Sequence, residues 1–504
     1  MINRVCKLLV LAFLLFHYST EAARPRVFTI LQLNDVYEIF PAPTLVDHKV
    51  ELRGGLAYAG GMIEEYRKHG PVLVLHAGDF ISPSLLSIKF KHKGKQMVDA
   101  MNAMGTDFAT FGNHEFDFGC QVLGERIQQS TFQWLTSNIK FPKELDHLSA
   151  KIRPYRIVKI AGMRVGIFSV TVPLEPVDGC GQEPIRFEDP FEAAKLAISR
   201  LKSQKVDLII ALTHLRIKDD HLLAEQNPEI DFIVGGHDHE PIVEVVGKTL
   251  ITKAGTNATA LGEIGIKAIR SPDGWIVEKK WKRADVNPAA TKPSAAVSTA
   301  LASYAQQLQS FEKVIGSTQV ALDVREDTVR EKESNFANYL TDVMRQEMKT
   351  DIALINGGAF RGDRIIPPGS LSLNDLYTVL LFENEIRAIE ITGKQLWEAL
   401  ENGVSMSGEK AGRFPQVSGM RFAFDPDRSP GRRITRVVIG ESPLDPEKTY
   451  TMATIDFLLN RGFIDGYQLP KDKVVNGGSL NDLIIRSLDK GPLQCQVEGR
   501  VFQE

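Results

Sequence analysis

Five short apolar runs in the first half of the chain each end in residues able to hold a metal ion. Leu31-Gln32-Leu33-Asn34 leads into Asp35, and Leu73-Val74-Leu75-His76-Ala77-Gly78 leads into Asp79. Phe108-Ala109-Thr110-Phe111-Gly112 leads into Asn113-His114-Glu115, and Ile209-Ile210-Ala211-Leu212-Thr213 into His214. Phe232-Ile233-Val234-Gly235-Gly236 leads into His237-Asp238-His239. Taken singly, a Gly-Asp pair marks a turn and a lone strand histidine packs in a core. Taken together and in order, they supply six oxygen and nitrogen donors. That is enough for two divalent ions sharing one carboxylate. Such a pair, about 3.5–4 Å apart, clamps the attacking and leaving oxygens of a phosphoryl transfer.

The elements that must position these residues follow from the runs themselves. Short segments rich in β-branched residues and bounded by Gly, Asp or Asn read as buried strands. Residues 190–203 between them carry helical periodicity, and the alternation indicates an α/β domain. In open α/β sheets ligands bind beyond the carboxyl ends of the strands, where all these donors stand. His237 and His239 alternate, so they share a face. The glycines before Asp79, Asn113 and His237 are expected to turn the backbone sharply toward the site. His76 is expected to be a strand histidine beside it, and His48, His69, His92, His147 and His221 to be loop or surface residues.

The 504-residue chain is too long for one compact core, so two domains are expected. Its 43% hydrophobic and 24% charged residues are those of a globular protein, and a net charge of -3 argues against a nucleic-acid partner. Arg4 and Lys7 precede the nine-residue apolar run Leu8–Phe16, with small residues placed for cleavage after Ala22. Residues 1–22 therefore read as a secretory signal, too short to span a bilayer. No lipid-anchor tail ends the chain. A soluble, extracellular or periplasmic protein without a stable membrane anchor is expected; oligomeric state is not legible. Of the four cysteines Cys6 leaves with the signal, and Cys120, Cys180 and Cys495 allow at most one internal disulfide. Asn257-Ala258-Thr259 is a glycosylation sequon usable in a eukaryotic secretory pathway. A Pro/Ala/Thr-rich stretch, Pro288–Pro293, precedes a helical segment, 294–313, expected to bridge two domains rather than fill a core. The division is thus 24–286, a connector at 287–313, and a second α/β or α+β domain at 314–504.

These motifs resemble the calcineurin-like metallophosphoesterases, and within them the 5'-nucleotidase family. The matching residues are Asp35, Gly78-Asp79, Gly112-Asn113-His114-Glu115-Phe116-Asp117, His214 and Gly236-His237-Asp238-His239. The resemblance implies a β-sandwich flanked by helices. It implies that Asp79 bridges two metals, that Asp35 and His239 complete one site, and that Asn113, His214 and His237 complete the other. It makes His114 the catalytic histidine, paired with Asp117, and a metal-bound hydroxide the nucleophile. An imidazole there can hydrogen-bond the phosphate and protonate the leaving alkoxide, with a carboxylate fixing its tautomer.

The second half extends the resemblance over nearly the whole mature chain. Asn356-Gly357-Gly358-Ala359-Phe360-Arg361, the segment from Arg330 to Asn338, Val379 to Asn384, and Asp456 to Tyr467 resemble that family's substrate loops. The implied substrate residues are Phe382 and Phe457 stacking on a base, Asp465 on the ribose, Asn356 on the base, and Arg330 and Arg361 on carboxylate or phosphate. The expected substrate is a small-molecule nucleotide, a nucleoside 5'-phosphate in the first instance. Nucleoside di- and triphosphates, cyclic nucleotides and phosphorylated sugars remain alternatives, as does a non-catalytic nucleotide-binding protein. The chain departs from the family at three points. Leu381 replaces a proline, the Asn460–Asp465 loop is longer by two residues, and Tyr37 replaces a metal-binding histidine. Tyr37 either coordinates as a phenolate or points away. Both leave a first site rich in oxygen, better suited to manganese or magnesium than to zinc, so manganese is expected there.

Overall fold

The computed structural model of the chain describes residues 24–178, 183–272 and 274–504. The expected signal, 1–22, and Cys180 lie outside them. Cys120 is disulfide-bonded, and Cys495 carries a free thiol.

Two sheets pack face to face in the first half. One runs Gly274–Asp285, Ala260–Ser271, Arg26–Leu33, Val72–His76, Phe108–Thr110, Gln133–Leu135, Ile152–Arg153. The other runs Pro241–Val246, Thr249–Ala254, Phe232–Gly235, Leu208–His214, Met163–Thr171, Tyr155–Ile160. The strands that lead to the donors are parallel, and they finish level: Leu33 lies opposite His76, and Thr213 opposite Gly235. Period-two alternation decides which residue goes where. Phe28 and Ile30, Leu73 and Leu75, and Leu208, Ile210 and Leu212 build the core between the sheets. Leu31 and Val74 join the cluster that includes helices Leu56–His69 and Lys95–Met104. Ile209 and Ala211 join the one that includes helices Pro190–Ser203 and Ile217–Gln226. Burial on both faces is why these strands read as continuous apolar runs. The first half is the β-sandwich flanked by helices that the resemblance implies.

The second half has its own core. Its five-stranded sheet runs Pro415–Ser418, Ile352–Asn356, Thr449–Ile455, Glu385–Thr392, Val475–Ser479, with helix Asn335–Met348 packed on it. A four-stranded sheet runs Ser442–Pro443, Ile434–Ile439, Met420–Phe424, Val501–Gln503.

The helix expected to bridge the halves, Ala295–Leu308, instead lies on the first. Val297, Leu301, Tyr304 and Leu308 form a stripe buried in the first-half helical cluster. Several contacts join the halves. Leu381 inserts into that same cluster, with Lys89 and Glu383 paired beside it. Across the molecule Glu409 pairs with Arg216 at 2.6 Å and Lys218 at 2.9 Å, and Lys410 pairs with Glu240.

Candidate metal centre and active site

Three of the expected ligands sit in left-handed backbone: Asp35 (φ 52°), Asp79 (φ 57°) and His237 (φ 76°). That region is uncommon for residues other than glycine, and it persists only where the surroundings hold it. Here Asp35 and Val36 donate to the carbonyls of Gly78 and Asp79, at 3.0 and 2.9 Å. The buried Glu115 carboxylate accepts from the backbone N–H groups of Asp79, Phe80, Ile81 and Gly112, at 2.8, 2.8, 3.2 and 2.6 Å. The glycines do not all act as expected. Gly78 (φ 87°) makes the turn, but Gly112 has ordinary φ and is needed for space. A Cβ on Gly112 would lie 2.1 Å from Asp79 Oδ1.

The strand ends bring the donors together. Ligand atoms of Asp35, Asp79 and His214 all lie within 4.8 Å of one another and could hold a metal ion. Asp79 Oδ2 is 3.2 Å from His214 Nε2, and His237 Nδ1 is 3.3 Å from His214 Nε2 and 3.2 Å from Asn113 Oδ1. His214 Nδ1 donates to the Ala77 carbonyl at 2.7 Å, which leaves Nε2 as an acceptor for a cation. On the other side His239 Nε2 lies 3.4 Å from Asp35 Oδ1. Tyr37 does not point away. Its hydroxyl stands 3.1 Å from His239 Nε2, 3.3 Å from Asp35 Oδ1 and 3.4 Å from Asp79 Oδ2. Donors sharing one ion by bonds of about 2.1 Å sit roughly 3–3.4 Å apart, and these pairwise spacings are of that size.

The electrostatics show how strongly these groups compete for positive charge. Burial disfavours charge on His214, but Asp79 and Asp35 outweigh it and raise the imidazole to about 9. Burial opposes ionisation of both aspartates, but His214, together with His239 at Asp35 and His114 at Asp79, more than offsets it and holds them below the usual carboxylate range. Burial, then the charge of His214, holds His237 down at about 3. Burial, then Asp79 and Asp35, pushes the Tyr37 phenol well up.

His114 stands beside the donors. Its backbone N–H donates to Asp79 Oδ1 at 2.8 Å, and Nδ1 faces Asp117 Oδ2 at 2.8 Å, so Nε2 is left for a substrate. Burial works against a charge on His114, and Asp117 and Asp79 outweigh it, so its pKa is raised. His76 is the buried strand histidine expected near the site, its ring 4.6 Å from that of Phe80.

A cavity of about 810 Å³ runs from His237 and His239 to Arg330, Arg413 and Asp465 of the second half. Arg330 pairs with Glu326, and Arg361 lies 5.6 Å over the Tyr37 ring. Asn356 donates to Asp465 at 2.9 Å, while its own Oδ1 is buried without a partner. Phe382 and Phe457 are both half-buried and do not line this cavity. Their segments are nevertheless neighbours, because the Glu385 N–H donates to Asp456 Oδ1 at 2.9 Å.

Other contributors carried weaker sequence signals. Glu326 Oε2 and Asp363 Oδ2 approach His239 Nδ1 at 3.2 and 3.7 Å from the second half, and no local spacing announces them. Asn34 ties Asp35 Oδ2 to the Gly255 carbonyl, at 2.8 and 2.6 Å. Asn257, the sequon residue, uses Oδ1 to accept from the N–H groups of Tyr37 and Glu38 at 3.0 and 3.2 Å. Its side-chain carbonyl oxygen is thereby committed to the turn that carries Tyr37.

Comparison with known proteins agrees with this geometry. The calcineurin-like phosphoesterase family model matches residues 28–241, and that of the 5'-nucleotidase C-terminal domain matches residues 314–471. The trifunctional nucleotide phosphoesterase protein YfkN of Bacillus subtilis is 30% identical over 79% of this chain, which spans only 30% of that protein's length. The snake venom 5'-nucleotidase of Gloydius brevicauda is 28% identical over 94% of this chain and 88% of its own. The crystal structure of a 5'-nucleotidase precursor from Thermus thermophilus superposes with a TM-score of 0.83 at 28% identity, covering 95% of this chain and 99% of that one.

Proposed function

Because the chain belongs to the 5'-nucleotidase family of the calcineurin-like phosphoesterases, metal-dependent phosphomonoester hydrolases, we propose that it hydrolyses nucleoside 5'-phosphates to nucleoside and phosphate. The observation that carries this reading is the cavity joining His237 and His239 to Arg330 and Asp465. One molecule lying in it reaches both His237 and His239 of the first half and Arg330 and Asp465 of the second.

The roles divide by chemistry. Asp35, His239 and Tyr37 would hold one ion and Asn113, His214 and His237 the other, with Asp79 contributing to both. When bound, the ions supply positive charge to the phosphoryl group and acidify water. His114, oriented by Asp117, hydrogen-bonds the phosphate and delivers a proton to the leaving 5'-oxygen. Arg330 and Arg361 neutralise substrate charge, Asp465 accepts from the ribose, and Phe382 and Phe457 stack on the base. Tyr37 among three donors makes the first site oxygen-rich, which supports manganese there. The units carrying these roles are 24–286 and 314–504, joined through 287–313. We place the mature protein outside the cytosol. The Arg4–Ala22 pattern supports this, as does the venom relative. Among the described residues no helix is long and apolar enough to cross a membrane.

The test is metal content together with phosphate release from AMP, ADP, ATP and sugar phosphates, with Asp79→Asn as control. AMP is expected to be the best substrate and the control to be inactive. Faster release from sugar phosphates than from any nucleotide would overturn the reading. The Bacillus relative's description as trifunctional favours a second reading, a broader range of nucleotide esters, which the same panel resolves.

A further inference from the structure

Behind the histidine loops lies a lysine side chain with no exposed surface. Lys253, near the end of strand Thr249–Ala254, donates from Nζ to the carbonyls of Leu215 and Gly236 at 2.6 and 2.7 Å and to Asp238 Oδ2 at 2.5 Å. Asp220 Oδ2, also fully buried, is 3.0 Å away. Each partner flanks an expected ligand. Leu215 follows His214, Gly236 precedes His237, and Asp238 separates His237 from His239. Two further bonds close the network. Thr213, just before His214, donates its hydroxyl to Asp220 Oδ1 at 2.7 Å, and the Ile217 N–H donates to Asp238 Oδ2 at 2.8 Å.

We propose that Lys253 is a positioning residue that holds the three imidazoles of His214, His237 and His239 in register for the metals. An ammonium group is a compact charge with three donors, able to tie together the chain segments that leave strands Leu208–His214 and Phe232–Gly235 beyond their last mutual pair, Thr213 and Gly235. His237 needs such a tie, because its left-handed backbone (φ 76°) is held on one side by Asp35 Oδ2 accepting its N–H at 2.9 Å and on the other by Lys253 gripping Gly236. Stability alone gives little reason for the arrangement. Buried ion pairs are commonly replaced by apolar residues of similar volume without loss of stability, whereas removing one partner is costly. The pin therefore serves geometry, as groups behind metal ligands do elsewhere; losing one typically weakens metal binding roughly 10–100-fold.

This rests on the assignment of the three histidines as ligands, which His237→Ala tests separately. Metal-free full-length chain is titrated with manganese and with cobalt(II), following affinity, stoichiometry and the cobalt absorption spectrum. Melting in chelator reports the fold without metal. Lys253→Met/Asp220→Asn removes both buried charges and is expected to melt near the wild type while binding metal about 10–100-fold more weakly, with an altered cobalt spectrum. Asp238→Asn leaves Lys253 paired with Asp220 and weakens the bonds that Asp238 accepts from Lys253 and from the Ile217 N–H, loosening the His237–His239 loop and the segment after His214; its affinity is expected to fall as well. If the double variant does not fold, Asp238→Asn decides. Wild-type affinity and spectrum in Asp238→Asn, or in a folded double variant, overturn the proposal. Wild-type metal binding by His237→Ala instead overturns the ligand assignment and leaves the hydrogen-bond network to be explained otherwise.

Discussion

His114 offers its substrate-facing nitrogen only because Asp117 occupies the other, at 2.8 Å. His114→Ala should therefore keep both metals and lower turnover by roughly 10²–10⁴-fold. Metal analysis beside AMP hydrolysis checks this, and loss of metal would make His114 a ligand instead. Tyr37 makes the opposite case, a residue whose place the sequence left open. The structure puts its hydroxyl among Asp35, Asp79 and His239, so Tyr37→His exchanges an oxygen donor for an imidazole. Zinc should bind more tightly and displace manganese as the better activator; a wild type that already holds two zinc ions and ignores manganese would refute this. His76 supports a prediction about pH. Burial holds its imidazole at about 3 against an ordinary value of 6.5, and neither ring nitrogen has a hydrogen bond. Between those values the unfolded chain takes up the proton and the folded chain does not. Stability should fall as pH drops from about 6.5 to about 3, by up to roughly 1.4 kcal/mol per pH unit. His76→Leu should flatten that slope in denaturant unfolding at about pH 7 and about pH 4.5; an unchanged slope would place the acid sensitivity elsewhere. The strand-end residues that the structure brings together were legible because each ends an apolar run. Lys253, Glu326 and Asp363 were not, because what marks them is proximity between distant segments.

At the level of elements, the pattern of two was the reliable guide. Leu73 and Leu75 against Val74, and Ile210 and Leu212 against Ala211, assign the two faces of strands directly. The helix Ala295–Leu308 was harder. Its alanines dilute the apolar signal, yet Val297, Leu301, Tyr304 and Leu308 follow the helical period closely enough to bury a stripe. The glycine corners were legible as corners but not in cause, since Gly112 is fixed by the volume of Asp79 rather than by a left-handed turn. The loop carrying Phe382 and the helix Asp456–Asn460 carrying Phe457 lie side by side, joined by the Glu385–Asp456 hydrogen bond. If the two rings grip a base, Phe382→Ala or Phe457→Ala should weaken AMP binding by about 1–3 kcal/mol. Hydrolysis of a small aryl phosphate, which needs no base site, should barely change. Equal losses on both substrates would make the rings packing residues.

Across the whole molecule, the proposed metal ligands lie in the first half and the proposed nucleotide contacts in the second, so on this reading catalysis depends on how the halves stand to each other. In this arrangement the cavity connects His239 with Arg330 and Asp465 but leaves out both phenylalanines. If a nucleotide stacks between those rings, a shift of the halves is expected to bring its phosphate to the metal ligands. The junction is suited to such a shift. Leu381 makes an apolar contact, ion pairs of partly exposed side chains, Lys410–Glu240 and Arg216–Glu409, make another, and at the site itself Glu326 and Asp363 approach His239 while Arg361 lies over Tyr37. Exposed pairs of this kind contribute little net stability, with a median of about 0–1 kcal/mol, and can break and re-form cheaply. Relative motion is the expected behaviour of modest, polar interfaces within a chain. Replacing both Lys410 and Glu240 with cysteine and joining the thiols with a reducible bifunctional cross-linker, long enough to span the two lost side chains, should hold the present arrangement. Cross-linked, this variant should bind metal normally but turn over AMP slowly, and reduction should restore the rate, with the wild type under the same reductant as control because Cys120 is itself disulfide-bonded. Full turnover by chains shown to be cross-linked would mean that substrate reaches the metals without any rotation of the halves.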